Sequence, residues 1–187
     1  WDNQVFVLSA VPGEAAPAAP GAAAGGGGGR GNVEQPTHSQ QFTVFSFERG
    51  TGKVGWRKVL RTALPHEGHH KDHGYASASP VTDGEVLIVS FGSHGIYGLD
   101  LKGNQLWQKD LGKMQTRNSF GEGSSPALDG DRVFVLWDHE GADFLVALDR
   151  KTGKELWRKE RDEPTGWCTP VVIEHQGRRQ VVVNGAN

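Results

Sequence analysis

The chain of 187 residues has a formal net charge of −2, and its basic residues are scattered rather than gathered into a run, so it lacks the electrostatic footprint of a nucleic-acid binder. Its single cysteine, Cys168, excludes an internal disulfide and, beside Thr169-Pro170, reads as a small packed residue. No apolar run approaches the ~18 residues of a membrane span.

In chain order, Val5-Phe-Val-Leu8 predicts a strand. Residues 11–40 are dominated by Pro, Ala and Gly, culminating in Gly25 to Gly29, and predict a disordered loop inserted into the first unit, because such a composition buries too little apolar surface to offset chain entropy. Phe42 to Phe47 resumes an alternating strand and leads through a polar turn to Trp56. A polar, histidine-rich segment, 61–75, follows. Two complete units come next, each of four short strands: Ala76–Val81, Glu85–Phe91, Gly95–Asp100 and Gln105–Lys109, then Ser124–Leu128, Arg132–Trp137, Asp143–Leu148 and Glu155–Arg158. Turns such as Thr82-Asp-Gly84 and Asp129-Gly-Asp131 have the residues that hairpins require.

The units repeat. Ala147 to Trp157 runs from apolar residues through Asp149 and Thr152-Gly153 into a tryptophan, and Gly98 to Trp107 and Phe47 to Trp56 repeat it, with the tryptophans 51 and 50 residues apart. Each unit opens on small residues and a proline, at Pro80, Pro126 and Pro170. Consecutive apolar residues in the middle strands, such as Val86 to Val89, mean that both sheet faces are covered, as they are when four-stranded blades stack around an axis. The predicted fold is all-β, an arc of four-stranded antiparallel propeller blades. The blade divisions are 1–60 (partial, with the 11–40 insertion), 61–111 (with the histidine-rich entry loop), 112–160, and 161–187 (the start of another). About three and a third blades are too few to close a propeller, so the chain reads as a fragment whose partners include further blades of the same protein.

The Ala-x-Asp-x-x-Thr-Gly-Lys-x-x-Trp pattern at Ala147 to Trp157, partly matched in the other two units, resembles the tryptophan-docking motif of pyrroloquinoline-quinone-like (PQQ-like) β-propellers. That resemblance implies docking roles for Trp56, Trp107 and Trp157, and a periplasmic or extracellular location. It spans non-enzymatic members, including an outer-membrane-assembly lipoprotein, and quinoprotein alcohol or sugar dehydrogenases that use PQQ with Ca²⁺. It therefore speaks to fold more than to function. The dehydrogenases often carry an adjacent cysteine pair, which this chain lacks.

In such blades, the loops from second to third strand and from fourth strand to the next first strand emerge on one face. Six of the eight histidines fall there, with the insertion. The candidate ligand-binding residues are His66, His69, His70, His73, His94, Arg117, Glu122, Asp138, His139 and Glu140; His66, His69, His70, His73 and His139 are the candidate transition-metal ligands, since neutral imidazoles bind zinc, copper, nickel or iron. The bland alternative is that these residues are hydrogen-bonded within their loops. No catalytic residue is marked: Ser77, Ser79, Ser124, Ser125 and Thr169 read as small residues where inner strands converge, and the glycine run lacks the Lys-Ser/Thr of a phosphate loop. The expected function is an extracytoplasmic scaffold that presents its loop face to a protein or small ligand. The alternatives are a PQQ-dependent dehydrogenase and a metal-binding propeller.

Overall fold

A computed structural model describes residues 1–15 and 32–185. In chain order the strands are β1 (Gln4–Ala15), β2 (Val33–Glu34), β3 (His38–Glu48), β4 (Val54–Ala63), β5 (His69–His70), β6 (Val81–Thr82), β7 (Val86–Ser90), β8 (Ile96–Asp100), β9 (Gln105–Lys109), β10 (Ala127–Asp129), β11 (Arg132–Trp137), β12 (Phe144–Asp149), β13 (Glu155–Glu160), β14 (Val171–His175) and β15 (Arg178–Val182). They form antiparallel meanders: β1-β3-β4, β6-β7-β8-β9, β10-β11-β12-β13 and β14-β15. The protein is all-β, with four-stranded blades arranged as an open arc. Among the described residues the only helical pieces are two 3-10 turns, Gly92–His94 and Arg117–Ser119, and no helix is long and apolar enough to cross a membrane.

Strand periodicity explains the stacking. On β7, Val86 and Ile88 enter one core with Val133, Val135 and Trp137 of the next blade, while Leu87 and Val89 enter another with Leu8, Phe42 and Val44 of the preceding one. Successive side chains point to opposite faces, so a run of four apolar residues serves two interfaces. A third core joins Phe134, Leu136 and Leu145 to Val172 and Val181, with Cys168 half-buried at its margin.

The turns have a local cause. The Asp149 carboxylate accepts from the backbone N–H of Lys151 (3.1 Å) and Thr152 (2.8 Å) and from the Thr152 hydroxyl (2.7 Å), and Gly153 then takes φ +67°. That turn seats the preceding blade: a Cβ at Gly153 would lie 2.5 Å from the ring of Trp107, whose Nε1 donates to the Arg150 carbonyl at 2.7 Å. Trp56 repeats the arrangement over Gly103, donating to the Leu101 carbonyl at 3.0 Å. Trp157 packs on Phe134 (centroids 5.9 Å) and is 39 % exposed.

Two differences from the sequence reading stand out. The segment 11–40 is less irregular at its ends: β1 continues to Ala15, β3 begins at His38, and β2 pairs Val33 with His70 and Glu34 with His69. Backbone pairing orders these residues despite their composition. The rest of the expected disordered loop, 16–31, lies outside the described residues. The first strands are also shorter than expected, because near the axis the backbone bonds to side chains of the next blade. Ser79 N–H donates to Ser125 Oγ (2.8 Å), and Ser125 N–H to Thr169 Oγ1 (3.3 Å). This gives the small residues before each proline a linking role.

Candidate functional site

The loops that bear the candidate residues are tied to one another in a repeating way. Glu67 accepts from Thr116, through its N–H (3.1 Å) and Oγ1 (2.6 Å); one blade on, Glu140 accepts from Thr165 N–H (3.1 Å) and Oγ1 (2.8 Å). The two threonines are 49 residues apart, so this is the blade period expressed as a loop-to-loop clamp. The Thr165 N–H holds the Glu140 carboxyl below the usual carboxylate range, assisted by its hydroxyl and by Arg117 at 3.5 Å.

A second repeating position differs between blades. Gly92 follows β7 as Asp138 follows β11, and Glu122 precedes Pro126 as Gly166 precedes Pro170. At one interface the acid comes from the entry loop: the Glu122 carboxylate fills the space where a Gly92 side chain would be and accepts from Ser93 N–H at 2.7 Å. At the next, it comes from the strand end: Asp138 lies against Gly166 and accepts from Arg161 Nε (2.8 Å) and Nη2 (3.2 Å). The residue Glu122 is half-buried, but its carboxyl lies in that dry niche, and burial, reinforced by Glu67, pushes it up to about 7 against the Ser93 hydrogen bonds. Burial also keeps Asp138 above its ordinary value, despite Arg161.

The histidines part company. His66, His94, Glu122 and Asp138 line one cleft, together with Glu67, Tyr75, Trp137 and Trp167. His66 Nε2 donates to the Met114 carbonyl at 2.7 Å. His94 stacks on Phe42 (centroids 4.1 Å), and burial, then the nearby His66, Arg61 and Lys113, push it down to about 4, so its ring is neutral. His69 is buried under the returning insertion: its Nδ1 donates to the His70 carbonyl (2.8 Å), its Nε2 lies 3.9 Å from Glu34, and its ring meets Tyr75 edge-on. His70 accepts from Asp72 N–H (3.3 Å) and lies against Phe120, with exposed His73 beyond. His139 has both nitrogens engaged, accepting from Gln115 N–H and donating to the Ala142 carbonyl, each at 3.2 Å. Of the five histidines expected as metal ligands, His66 alone belongs, among the described residues, to a group able to hold an ion, with Glu67 and Glu122. Sequence reading missed Glu67, although alignment of the Thr116 and Thr165 loops would have exposed the clamp.

Arg117 lies on a separate, polar concavity with Gln115, Asn118, Ser119 and Glu140. Asn118 and Ser119 there have φ +56° and +53°. For Ser119 this conformation costs about 1–2 kcal/mol, and for Asn118, a residue type that tolerates it, less.

No curated protein matches the chain. Among solved structures, BamB from Moraxella catarrhalis is 21 % identical over 78 % of this chain and 42 % of its own (TM-score 0.48). The quinohemoprotein alcohol dehydrogenase ADHIIG from Pseudomonas putida HK5 is 16 % identical over 68 % and 19 % (0.44), and that from Comamonas testosteroni 12 % over 84 % and 23 % (0.44). This chain thus spans less than half the length of each. The family described as outer membrane protein assembly factor BamB matches residues 26–136 and 102–186, most of the sequence. The chain belongs to this family of PQQ-like β-propellers.

Proposed function

We propose that the chain is part of an extracytoplasmic propeller that binds a polypeptide on its loop face, at the concavity around Arg117 to Ser119. The observation that carries this reading is the pair of left-handed non-glycine residues, Asn118 and Ser119, at the rim of that concavity. Backbone strain of this kind persists where the surroundings over-determine it, and it collects at binding sites. The clamps from Glu67 and Glu140 hold the loop on both sides, so the surface is fixed before a partner arrives, which lowers the entropy cost of association. The family's description as an assembly factor for outer membrane proteins suggests the partner class, a component or client of that assembly. On the same reading Trp56 and Trp107 serve as docking residues between blades, with Trp157 as their counterpart in the next unit.

The quinone reading draws less support from the cleft. Its volume is about 40 Å³, and Glu67, Glu122 and Asp138 line it. Cofactor sites usually offer ~300 Å³ or more. A planar quinone bearing carboxylates would also face Glu67 and Glu122, which weighs against PQQ in this cleft.

A photo-crosslinking residue in place of Arg117 separates the readings. The expected result is a crosslink to an outer-membrane-protein assembly component in envelope extracts, lost when Glu140→Ala frees the loop and absent with the probe at Lys102 on the opposite face. Equal labelling from both faces, or retention of PQQ with Ca²⁺-dependent dye reduction by alcohols, would overturn the proposal.

A further inference from the structure

The cleft between the second and third blades gathers a donor set that shares with the Arg117 loop only the Glu67–Thr116 clamp. His66, Glu67 and Glu122 each offer one ligand atom, and these atoms all lie within 4.8 Å of one another. Residues 66–67 and residue 122 belong to consecutive entry loops, so folding alone brings the three together.

Each donor is held by a group that leaves it free to ligate. His66 Nε2 gives its hydrogen to the Met114 carbonyl, which fixes the tautomer and leaves the Nδ1 lone pair available. A backbone carbonyl on the distal nitrogen is the usual support of a metal-binding imidazole. Glu67 is oriented by Thr116, and Glu122 by Ser93 N–H in the niche made by Gly92. Each carboxylate keeps lone pairs to spare, because an ionised carboxylate accepts about four hydrogen bonds.

An independent observation also points to a missing partner. His94, 8 % exposed, lines the same cleft with its ring 5.9 Å from that of His66, and its Nδ1 is buried with no hydrogen-bond partner. The other buried side-chain atom in that state among the described residues, Tyr75 Oη, belongs to this cleft as well. Buried polar atoms almost always have partners, so two orphans lining one cleft indicate an occupant.

We propose that His66, Glu67 and Glu122 bind a divalent first-row transition ion that bridges the entry loops of successive blades. The mixture of imidazole and carboxylate suits Zn²⁺ or Mn²⁺ better than Ca²⁺, which prefers an all-oxygen shell. The ion would neutralise two carboxylates that otherwise oppose each other across the interface. It would stabilise the folded chain in proportion to the logarithm of its free concentration over Kd.

The test uses the chain freed of metal by chelation, titrated with Zn²⁺ against a chromophoric indicator at neutral pH, with melting followed in parallel. One equivalent is expected to bind and to raise the Tm. Glu122→Gln, which keeps its shape, and His66→Asn should each weaken binding by about 10- to 100-fold, by analogy with the loss of supporting groups at known sites. Both variants should retain the metal-free melting transition, which confirms that they fold. His175→Asn, exposed on β14, should change nothing. Failure to bind one equivalent would overturn the proposal. So would binding that survives Glu122→Gln with Glu67→Gln, weakening by His175→Asn equal to that by His66→Asn, or stoichiometric uptake of Ca²⁺ in preference to Zn²⁺ and Mn²⁺.

Discussion

A Cβ built on Gly92 would lie 1.4 Å from Oε2 of Glu122, so the carboxylate occupies the volume that any other residue at position 92 would claim. Gly92 also has φ +53°, where a side chain is strained regardless of space. Gly92→Ala should therefore destabilise by about 2–4 kcal/mol, combining backbone strain with displacement of the carboxylate. In a Glu122→Ala background the same change should cost only about 1 kcal/mol, the backbone part. Urea denaturation of the double-mutant cycle measures the difference, and additive costs would show that the two residues are not coupled.

The tryptophans, alike in sequence, should differ in energy. Trp107 is 7 % exposed, donates to Arg150 and packs over Gly153, so Trp107→Ala should cost about 3–5 kcal/mol. Trp157, 39 % exposed, should cost less, about 2 kcal/mol, in this chain. Equal shifts in the denaturation midpoint would contradict the packing order.

Acid sensitivity follows from the turn and clamp carboxylates. The Thr152 hydroxyl, with backbone N–H groups, holds Asp149 below its ordinary 3.8; Arg158, then Lys109, do the same for Glu155 below 4.5; and Thr165 does so for Glu140. Groups depressed on folding contribute stability that is fully present above the unfolded values and is lost as pH falls through the folded ones. Stability should thus be flat with respect to these groups near neutrality and decline below about pH 4. Asp149→Asn should lower stability at pH 7 and flatten the decline between pH 5 and 3. An unchanged slope in denaturant midpoint against pH would remove the turn from the account.

Relief of strain at the binding loop should be visible in the unbound chain. Ser119→Gly removes a Cβ from a residue at φ +53° and should stabilise by up to about 1 kcal/mol, whereas Ser119→Val should destabilise by more than that. Thermal melting checks the sign. If binding uses the fixed loop, Ser119→Gly should bind more weakly although it is more stable.

The contrast between Trp107 and Glu122 shows which features were legible in sequence. The tryptophan belongs to a turn written three times, with an acidic residue (Glu48, Asp100 or Asp149), a Gly and, four residues on, a Trp, and each copy spans about ten residues of chain. Glu122 breaks the repeat, standing where the other units have Ala76 and Gly166, and its partners are Gly92 and Ser93, some 30 residues earlier. An exception in one copy reads as noise until folding shows the matching glycine. His139 illustrates the converse: its residue type suggested a ligand, but Gln115 and Ala142 use both of its nitrogens.

The sequence by itself determined the architecture, because hairpin turns, period-two burial and the tryptophan spacing are local physics repeated along the chain, and each copy reinforces the others. Only the tertiary structure decided which polar residues are clamps, which are buried pairs and which converge on one cleft. Those outcomes depend on contacts between loops about 50 residues apart, where one vacant Cβ at Gly92 decides where a carboxylate can go.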